Sequence, residues 1–153
     1  MKKLATNDRG SDGGGGVLIE KLERGGLRVT PQREHVYKVL LDKKDHPTAE
    51  EVFIRAKKGM PEISIATVYN CLDALVSCGL VKQVNHDRSA TRFCSNMMPH
   101  HHFYCDECGG AYDIDRETDE AQPPVAMPRG FRPDRFEVTI RGLCPDCAAK
   151  ARK

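Results

Sequence analysis

The chain has 153 residues, enough for one ordinary domain or two small ones, and its hydrophobic fraction of 39% without tryptophan predicts modest cores. Lysine and arginine (24) nearly balance aspartate and glutamate (22), so bulk charge does not indicate a nucleic-acid partner and any basic surface must be local. The sequence has no apolar run of the ~18 residues that span a bilayer and no apolar N-terminal segment, so we expect a cytoplasmic protein with no membrane partner.

The N-terminal half is predicted to be a polar tail followed by four helices. Residues 1–16 are polar and glycine-rich and cannot bury enough surface to become ordered, so we expect a disordered tail. Apolar residues then recur at helical spacing, between threonine and serine residues that suit N-caps and glycines that suit helix ends. The predicted helices cover approximately residues 17–24, 31–41, 49–59 and 65–78.

A short β-hairpin is predicted after the fourth helix. Strand-like runs at 80–84 and 90–94 flank a polar turn at 85–89. Helices followed by such a hairpin are the plan of a winged helix, in which the helix before the hairpin enters the major groove of DNA. The pattern fits a small helical bundle with a polar surface equally well, so both interpretations are open at this point.

Candidate DNA contacts lie near the start of the fourth helix. In a winged helix these exposed positions face base edges, where Tyr69 can contact thymine methyl groups and Asn70 can pair with adenine. Thr67 lies on the same turn, and Arg28 precedes the second helix, where it can reach the DNA backbone or minor groove. We therefore predict DNA contacts from Arg28, Thr67, Tyr69 and Asn70.

Four cysteines in two C-x-x-C pairs dominate the C-terminal half. Each pair can direct two thiolates to one point, and two pairs complete a tetrahedral zinc site. The chain has 7 cysteines, an odd number that fits metal ligands and free thiols in a reducing compartment better than disulfides. The predicted ligands of this structural Zn²⁺ are Cys105, Cys108, Cys144 and Cys147.

A small mixed module is predicted around these cysteines. Residue patterns indicate strands at 103–105, 111–115 and 136–140 and a helix at 145–153. The predicted fold class is therefore α+β, with an N-terminal set of helices and a hairpin, in the plan of a winged helix or of a helical bundle, followed by a small α/β domain that holds the four-cysteine zinc site.

Several motifs, in a fixed order, resemble those of one known family. They are LRVTPQR (27–33), HPTAEEV (46–52), IATVYN (65–70), GLV (79–81), HHH (100–102), CDECG (105–109) and GLCPDC (142–147). Together they resemble the ferric uptake regulator (Fur) superfamily of bacterial metal-responsive repressors, over approximately residues 17–148.

The resemblance implies a domain plan and a partner. It implies a winged-helix DNA-binding domain at 17–94, a hinge at about 86–96 and a zinc-containing dimerisation domain at 97–153. It also implies a homodimer that binds inverted-repeat operators in double-stranded DNA. Neither an enzymatic activity nor a small-molecule substrate is expected.

The resemblance further implies a second, regulatory metal site between the two domains. Carried over by position, its ligands here are His46, Cys94, His100, His102 and Asp113. The i, i+2 spacing of His100 and His102 places both imidazoles on the same side of an extended strand, which suits chelation. His101 is expected to point the other way, towards solvent or a supporting position.

Cys94 bears on which metal the regulatory site takes. Members of the family that sense iron or peroxide usually carry a carboxylate there, whereas the zinc-uptake branch resembles this chain in having a cysteine. A thiolate makes the site softer, so Zn²⁺ is favoured over Fe²⁺ or Mn²⁺ and control of zinc uptake is the favoured function. Iron or peroxide sensing is the alternative. The zinc branch can add an upstream histidine, where this chain offers only His86.

Two other classes of protein remain open. A zinc hydrolase needs an open metal position and a general base, which the histidine run with Asp113 and Glu107 superficially provides. A zinc-ribbon adaptor for protein partners is the other class, but it leaves the helices and hairpin unexplained. Cys71 and Cys78 share one helix face and are expected to pack as small apolar residues rather than to act in redox chemistry.

Overall fold

The computed structural model describes residues 14–85, 90–116 and 123–152. Its helices are α1 (Gly14–Arg24), α2 (Pro31–Asp42), α3 (Ala49–Gly59), α4 (Ile65–Ser77) and α5 (Pro145–Ala151). Its strands are β1 (Lys82–Val84), β2 (Arg92–Cys94), β3 (His100–Cys105), β4 (Ala111–Asp115) and β5 (Thr139–Gly142). Within these ranges no helix is long and apolar enough to cross a membrane. The predicted α+β class is confirmed.

Side-chain caps explain where helices α2, α3 and α4 begin. Thr30 caps α2 by accepting a hydrogen bond from the backbone N–H of Arg33. At α3, Thr48 and Glu51 form a reciprocal capping box. Ser64 caps α4 in the same way as Thr30 caps α2. These caps satisfy N–H groups that the first turn of a helix leaves without partners.

Helix α1 begins earlier than the sequence predicts. The expected tail runs through residue 16, but α1 already starts at Gly14. Leu18 and Leu22 of this helix are buried, with 2% and 0% of their surface exposed. Their packing outweighs the poor helix propensity of the glycines. Residues 1–13 lie outside the described part of the chain.

Helices α1 to α4 and the β1–β2 hairpin share one apolar core. Its fully buried members include Leu22, Val36, Val52, Val68, Leu72 and Leu75. The two strands pair antiparallel, with Gln83 opposite Phe93. Strand β1 is shorter than predicted because Leu80 and Val81 pack into the helical core instead of pairing with β2. Residues 86–89 of the predicted turn, which include His86, lie outside the described residues.

The C-terminal sheet has the strand order β4-β3-β5. Strand β3 is antiparallel to β4, with His102 opposite Asp113. It is parallel to β5, with Cys105 opposite Gly142. The central strand therefore carries both the histidine run and the first zinc-type cysteine, because it begins at His100 rather than at the predicted residue 103.

Strand β5 begins later than the sequence predicts. The expected range is 136–140, but pairing with β3 starts at Thr139. Just before it, the backbone N–H of Val138 donates to His101 Nδ1 at 2.9 Å, and the Glu137 carboxylate lies 2.6 Å from His102 Nδ1. Glu137 and Val138 thus contact histidine side chains of β3, and the Val138 carbonyl accepts the first backbone hydrogen bond, from the N–H of His102 at 3.3 Å.

Candidate metal centres

The four predicted zinc ligands form one cluster in the α/β domain. Cys105 ends β3, Cys108 lies in the following turn, and Cys144 and Cys147 lie at the start of α5. Their sulfur atoms all lie within 4.8 Å of one another. Three of the four cysteines are buried, and Cys108 is exposed. The arrangement offers four thiols to a single tetrahedral ion.

Backbone contacts close to the cysteines bring the two pairs together. Gly109 has a φ of 70°, which glycine adopts without strain, and its N–H donates to the Cys105 carbonyl at 2.9 Å. The N–H of Asp106 donates to the Gly142 carbonyl at 2.8 Å, which ties the first pair to the end of β5. Pro145 occupies the start of α5 and suits a first helical position. The cluster is thus built within one domain.

The thiols of this cluster have pKa values shifted in opposite directions. Hydrogen bonds from the backbone N–H groups of Cys108 and Cys144 lower the pKa of Cys105 to about 6. The hydrogen bond to Cys144 raises the pKa of Cys147 to about 12. Four sulfur atoms this close cannot all ionise in the absence of a cation, because like charges repel. A Zn²⁺ ion would supply the compensating charge and hold all four as thiolates.

The five residues predicted for the regulatory site also lie together, between the two domains. His46, before α3, and Cys94, at the end of β2, come from the winged helix. His100 and His102 on β3 and Asp113 on β4 come from the C-terminal sheet. One ligand atom from each of the five lies within 4.8 Å of all the others. We call this set the interdomain cluster.

Asp113 lies at the centre of the interdomain cluster. Its Oδ1 atom is 2.7 Å from His46 Nε2, 2.9 Å from His100 Nε2 and 3.4 Å from His102 Nε2. Cys94 Sγ lies 3.5 Å from His100 Nε2 and 3.8 Å from Asp113 Oδ1. Three imidazole nitrogens, one carboxylate oxygen and one sulfur therefore converge, a donor set that fits a divalent transition metal.

Two of the three histidines have partners that fix the orientation of their rings. His102 Nδ1 donates to Glu137 Oε1 at 2.6 Å, and His100 Nδ1 donates to the Met98 carbonyl at 2.6 Å. Both rings therefore present Nε2 to the cluster, as a metal-binding histidine does when its other nitrogen is hydrogen-bonded. Glu137 is absent from the sequence prediction, and its distance along the chain from His102 leaves no local signal that would identify it.

The position of His101 differs from the prediction. It does point away from the cluster, but it does not face solvent, since only 5% of its surface is accessible. Its ring stacks on Phe136 with a centroid distance of 6.0 Å, and its Nδ1 accepts a hydrogen bond from the N–H of Val138. The far face of β3 is therefore also covered, by the segment that leads into β5.

Charges in the interdomain cluster compensate one another. Burial opposes a charged imidazole, but hydrogen bonds to Asp113 and Cys94 raise the pKa of His46 to about 9. Burial also opposes a charge on His102, but hydrogen bonds to Asp113, Cys94 and Glu137 raise the pKa of His102 to about 10. Burial also opposes a thiolate, yet hydrogen bonds from His102 and His46 lower the pKa of Cys94 to about 6. Without metal at pH 7, imidazolium protons thus occupy the place that suits a cation.

The candidate DNA-contacting residues lie on the surface of the winged helix. Tyr69, Asn70 and Arg28 are exposed, and Thr67 is half-buried at the start of α4. The hydroxyl of Tyr69 donates to Glu50 Oε1 at 2.8 Å, so a residue of α3 sets its direction. These positions suit contact with a duplex, and their role in DNA binding stays a prediction.

The fold and the two clusters define a class of protein. The helices and hairpin have the plan of a helix-turn-helix DNA-binding domain, and the two clusters offer ligands to transition-metal ions, which together fit a metal-binding transcription regulator. The sequence model of the ferric uptake regulator family matches residues 24–141. This chain belongs to the ferric uptake regulator family, and the resemblance inferred from its motifs is confirmed.

Individual relatives are similar over most of the chain. The peroxide-responsive repressor PerR of Staphylococcus saprophyticus is 34% identical over 133 residues, covering 86% of this chain and 90% of the relative. The peroxide operon regulator of Bacillus subtilis is 32% identical over 133 residues, with coverage of 86% and 92%. Among solved structures, the Campylobacter jejuni peroxide stress regulator is 31% identical, with a TM-score of 0.62 and coverage of 85% and 98%. A zinc-bound manganese uptake regulator is 27% identical, with a TM-score of 0.67 and coverage of 83% and 98%.

Proposed function

We propose that this protein is a cytoplasmic, metal-dependent repressor that binds inverted-repeat operators in double-stranded DNA as a homodimer. The observation that carries the proposal is the interdomain cluster, in which ligand atoms from both domains lie within 4.8 Å of one another. Tyr69, Asn70, Thr67 and Arg28 are the proposed DNA contacts. Membership of a family of transcription regulators favours this function over the hydrolase and adaptor alternatives.

The proposed mechanism couples metal binding to the arrangement of the two domains. A divalent cation held by the cluster would supply the bonds that join its two sides. His46 and Cys94 move with the winged helix, whereas the other three ligands are fixed in the sheet. Full coordination is therefore possible only in the arrangement that brings both sides together, and metal favours that arrangement. Shifting a population from almost all open to almost all closed requires about 5.5 kcal/mol of differential affinity.

The four-cysteine cluster has a different proposed role. Its ligands all come from one small domain, and a closed four-thiolate site leaves no coordination position for a signal. We propose that it binds Zn²⁺ permanently and stabilises the fold of the dimerisation domain. The DNA-binding signal then enters only at the interdomain cluster.

For the signal that the protein senses, its relatives argue against control of zinc uptake, the function that Cys94 favours. The two curated relatives above and one of the solved structures carry names that refer to peroxide. These relatives support iron or peroxide sensing over control of zinc uptake, and we propose the former. Control of zinc uptake is the second candidate, and the observation that favours it is the Cys94 thiol, a soft ligand whose pKa is lowered to about 6.

A DNA-binding titration tests this proposal. The zinc-loaded protein is prepared without oxygen, and its affinity for an inverted-repeat duplex is measured with added Zn²⁺, Fe²⁺ or Mn²⁺, before and after hydrogen peroxide. We expect at least about tenfold tighter binding with Fe²⁺ or Mn²⁺, and loss of that gain when the Fe²⁺ form meets peroxide. A gain with Zn²⁺ alone, unaffected by peroxide, would support the zinc candidate. No dependence on any metal would refute the function altogether.

A pair of neighbouring histidines provides the matched control for that titration. His100→Ala removes a ligand from the interdomain cluster, whereas His101→Ala truncates an equally buried histidine on the opposite face of the same strand. We expect only His100→Ala to abolish the metal dependence of operator binding. Equal loss in the two variants would show that the cost is one of strand stability and not of metal coordination.

A further inference from the structure

The interdomain cluster consists of two separate half-sites. In the sheet, His100, His102 and Asp113 are held by the β3–β4 pairing, which places His102 opposite Asp113. In the winged helix, His46 and Cys94 lie far apart in sequence and belong to different elements. A metal can join the halves with high affinity only when each half already has the right geometry, so something must hold His46 beside Cys94.

The His46 ring has no partner that fixes its orientation from behind. Its Nε2 points to Asp113, but its buried Nδ1 has no hydrogen-bond partner among the described residues. The other two cluster histidines differ, since Glu137 and the Met98 carbonyl hold their Nδ1 atoms. On the winged-helix side, the hydrogen bonds that can set the position of His46 are therefore those of its backbone.

The backbone at His46 adopts an unusual conformation that one side chain secures. His46 has a φ of 54°, the single positive value at a non-glycine residue among those described. This left-handed conformation is costly for a histidine and persists only where surrounding contacts require it. The carbonyl of His46 accepts a hydrogen bond from Nη1 of Arg92 at 3.0 Å, and the N–H of Phe93 donates to the Pro47 carbonyl at 3.0 Å.

Arg92 joins the strand that carries Cys94 to the turn that carries His46. It lies two residues before Cys94 on β2, and its Cα pairs with Thr48 in an isolated β-bridge. Its side chain is only 19% exposed, and Nη1 lies 3.7 Å from Glu51 Oε2, the oxygen that accepts from the Thr48 N–H in the α3 capping box. One guanidinium therefore contacts the ligand turn and the cap of α3 together.

We propose that Arg92 is a positioning residue for the interdomain cluster: by holding the His46 carbonyl it keeps His46 and Cys94 assembled as a half-site before metal binds. The inference rests on the proposed function of the cluster, and it adds a residue that touches no metal. Arg92 also links that half-site to the start of α3. A displacement of His46 would therefore also shift α3, whose Glu50 orients Tyr69.

The test is a titration with Co²⁺ alone, read by absorption, on protein that already holds Zn²⁺ at the four cysteines. Cobalt then reports only the interdomain cluster, and its visible bands depend on the geometry of the nitrogen and sulfur ligands. The variants are Arg92→Gln, which removes the charged guanidinium, and Arg92→Lys, which keeps the charge but places its N–H donors on a single nitrogen. Arg24→Gln is the matched control, because Arg24 is an exposed arginine paired with Glu20 on α1.

We expect Arg92→Gln to weaken Co²⁺ binding about 10- to 100-fold with shifted absorption bands, as when other supporting partners of metal ligands are removed. Arg92→Lys should recover part of the affinity, and Arg24→Gln should match wild type. Unchanged affinity and bands in Arg92→Gln would overturn the proposal. So would a loss in both Arg92 variants that only parallels a lower melting temperature and a loss of the bound zinc. If Arg92→Gln does not fold, Arg92→Lys and a folded Arg92→Met variant decide the question. Wild-type Co²⁺ affinity in both variants, with wild-type absorption bands in Arg92→Lys, would overturn the proposal. Weaker Co²⁺ binding in Arg92→Lys, and weaker still in Arg92→Met, would support it.

Different results would refute the proposed repressor function. Wild-type protein that binds Co²⁺ without any change in operator affinity would refute the metal-dependent repressor, while the Arg92 comparison would still be decided by the Co²⁺ titration. Wild-type protein that binds no Co²⁺ beyond the four cysteines would refute both proposals.

Discussion

The two metal-type clusters have similar dimensions but are assembled differently. Each brings its ligand atoms within 4.8 Å of one another. The four cysteines sit in two short motifs of one domain, joined by neighbouring strands, whereas the interdomain ligands come from the winged helix and the sheet. A site whose ligands share one rigid unit stabilises that unit, and a site shared by two units can report on how they are arranged. The following variants test that division of roles.

The largest effect is expected from Cys144→Ser. Structural zinc contributes about 10–16 kcal/mol of apparent binding free energy, at least as much as the ~5–15 kcal/mol that stabilises an ordinary domain. The α/β domain should therefore unfold, while amides of the winged-helix core stay protected from hydrogen exchange because that core has its own buried residues. Cys78→Ser is the control, since a serine hydroxyl can keep the contact that Cys78 makes with the Leu75 carbonyl. A fully folded Cys144→Ser protein would remove the distinction between the clusters.

Asp113→Asn should abolish the response at the other cluster without unfolding either domain. The Asp113 carboxylate contacts all three cluster histidines, and its loss removes the one anionic oxygen among the donors. We expect metal affinity at the interdomain cluster to fall by at least about 100-fold, more than for a supporting partner, while zinc at the cysteines is retained. Isothermal titration measures the first quantity and elemental analysis the second. Asp115→Asn, at an exposed position of the same strand, should behave as wild type.

The pH dependence of metal binding should follow from the histidine protons. The pKa of His46 is raised to about 9 and that of His102 to about 10, so both carry a proton at pH 7 that metal must displace. Apparent affinity should therefore rise with pH, by about tenfold or more per unit between pH 7 and 9, and level off above about pH 10. Cys94, with a pKa of about 6, is already ionised over this range and adds no further dependence. A flat profile in a titration series would contradict the charge distribution described for the cluster.

The smallest effect is expected from Cys94→Asp, which exchanges the soft ligand for a hard one of the same charge. The site should still bind metal, but the preference for Zn²⁺ over Mn²⁺ should fall by about tenfold. Competition titrations of the two ions on the variant and on wild type measure the ratio. An unchanged ratio would mean that Cys94 does not select the metal, and the remaining argument for zinc control would be lost.

Features that depend on residues only a few positions apart could be predicted from the sequence. Thr30, Thr48 and Ser64 identify three helix starts, because a capping side chain acts on backbone groups only two or three residues away. The C-x-x-C pairs and the spacing of His100 and His102 likewise determine which side chains share a turn or a strand face. The interdomain ligand set came from resemblance to the family, and residue spacing alone would not have joined His46 to Asp113.

Features that depend on contacts between distant segments were decided only by the tertiary structure. Burial of Leu18 and Leu22 places the glycines at residue 14 onwards in a helix, and the segment before β5 covers His101. Glu137 and Arg92 reach the cluster from segments far from the ligands they support. The physical reason is that capping and local spacing act over one or two turns of chain, whereas burial and the support of a ligand depend on which surfaces the fold brings into contact.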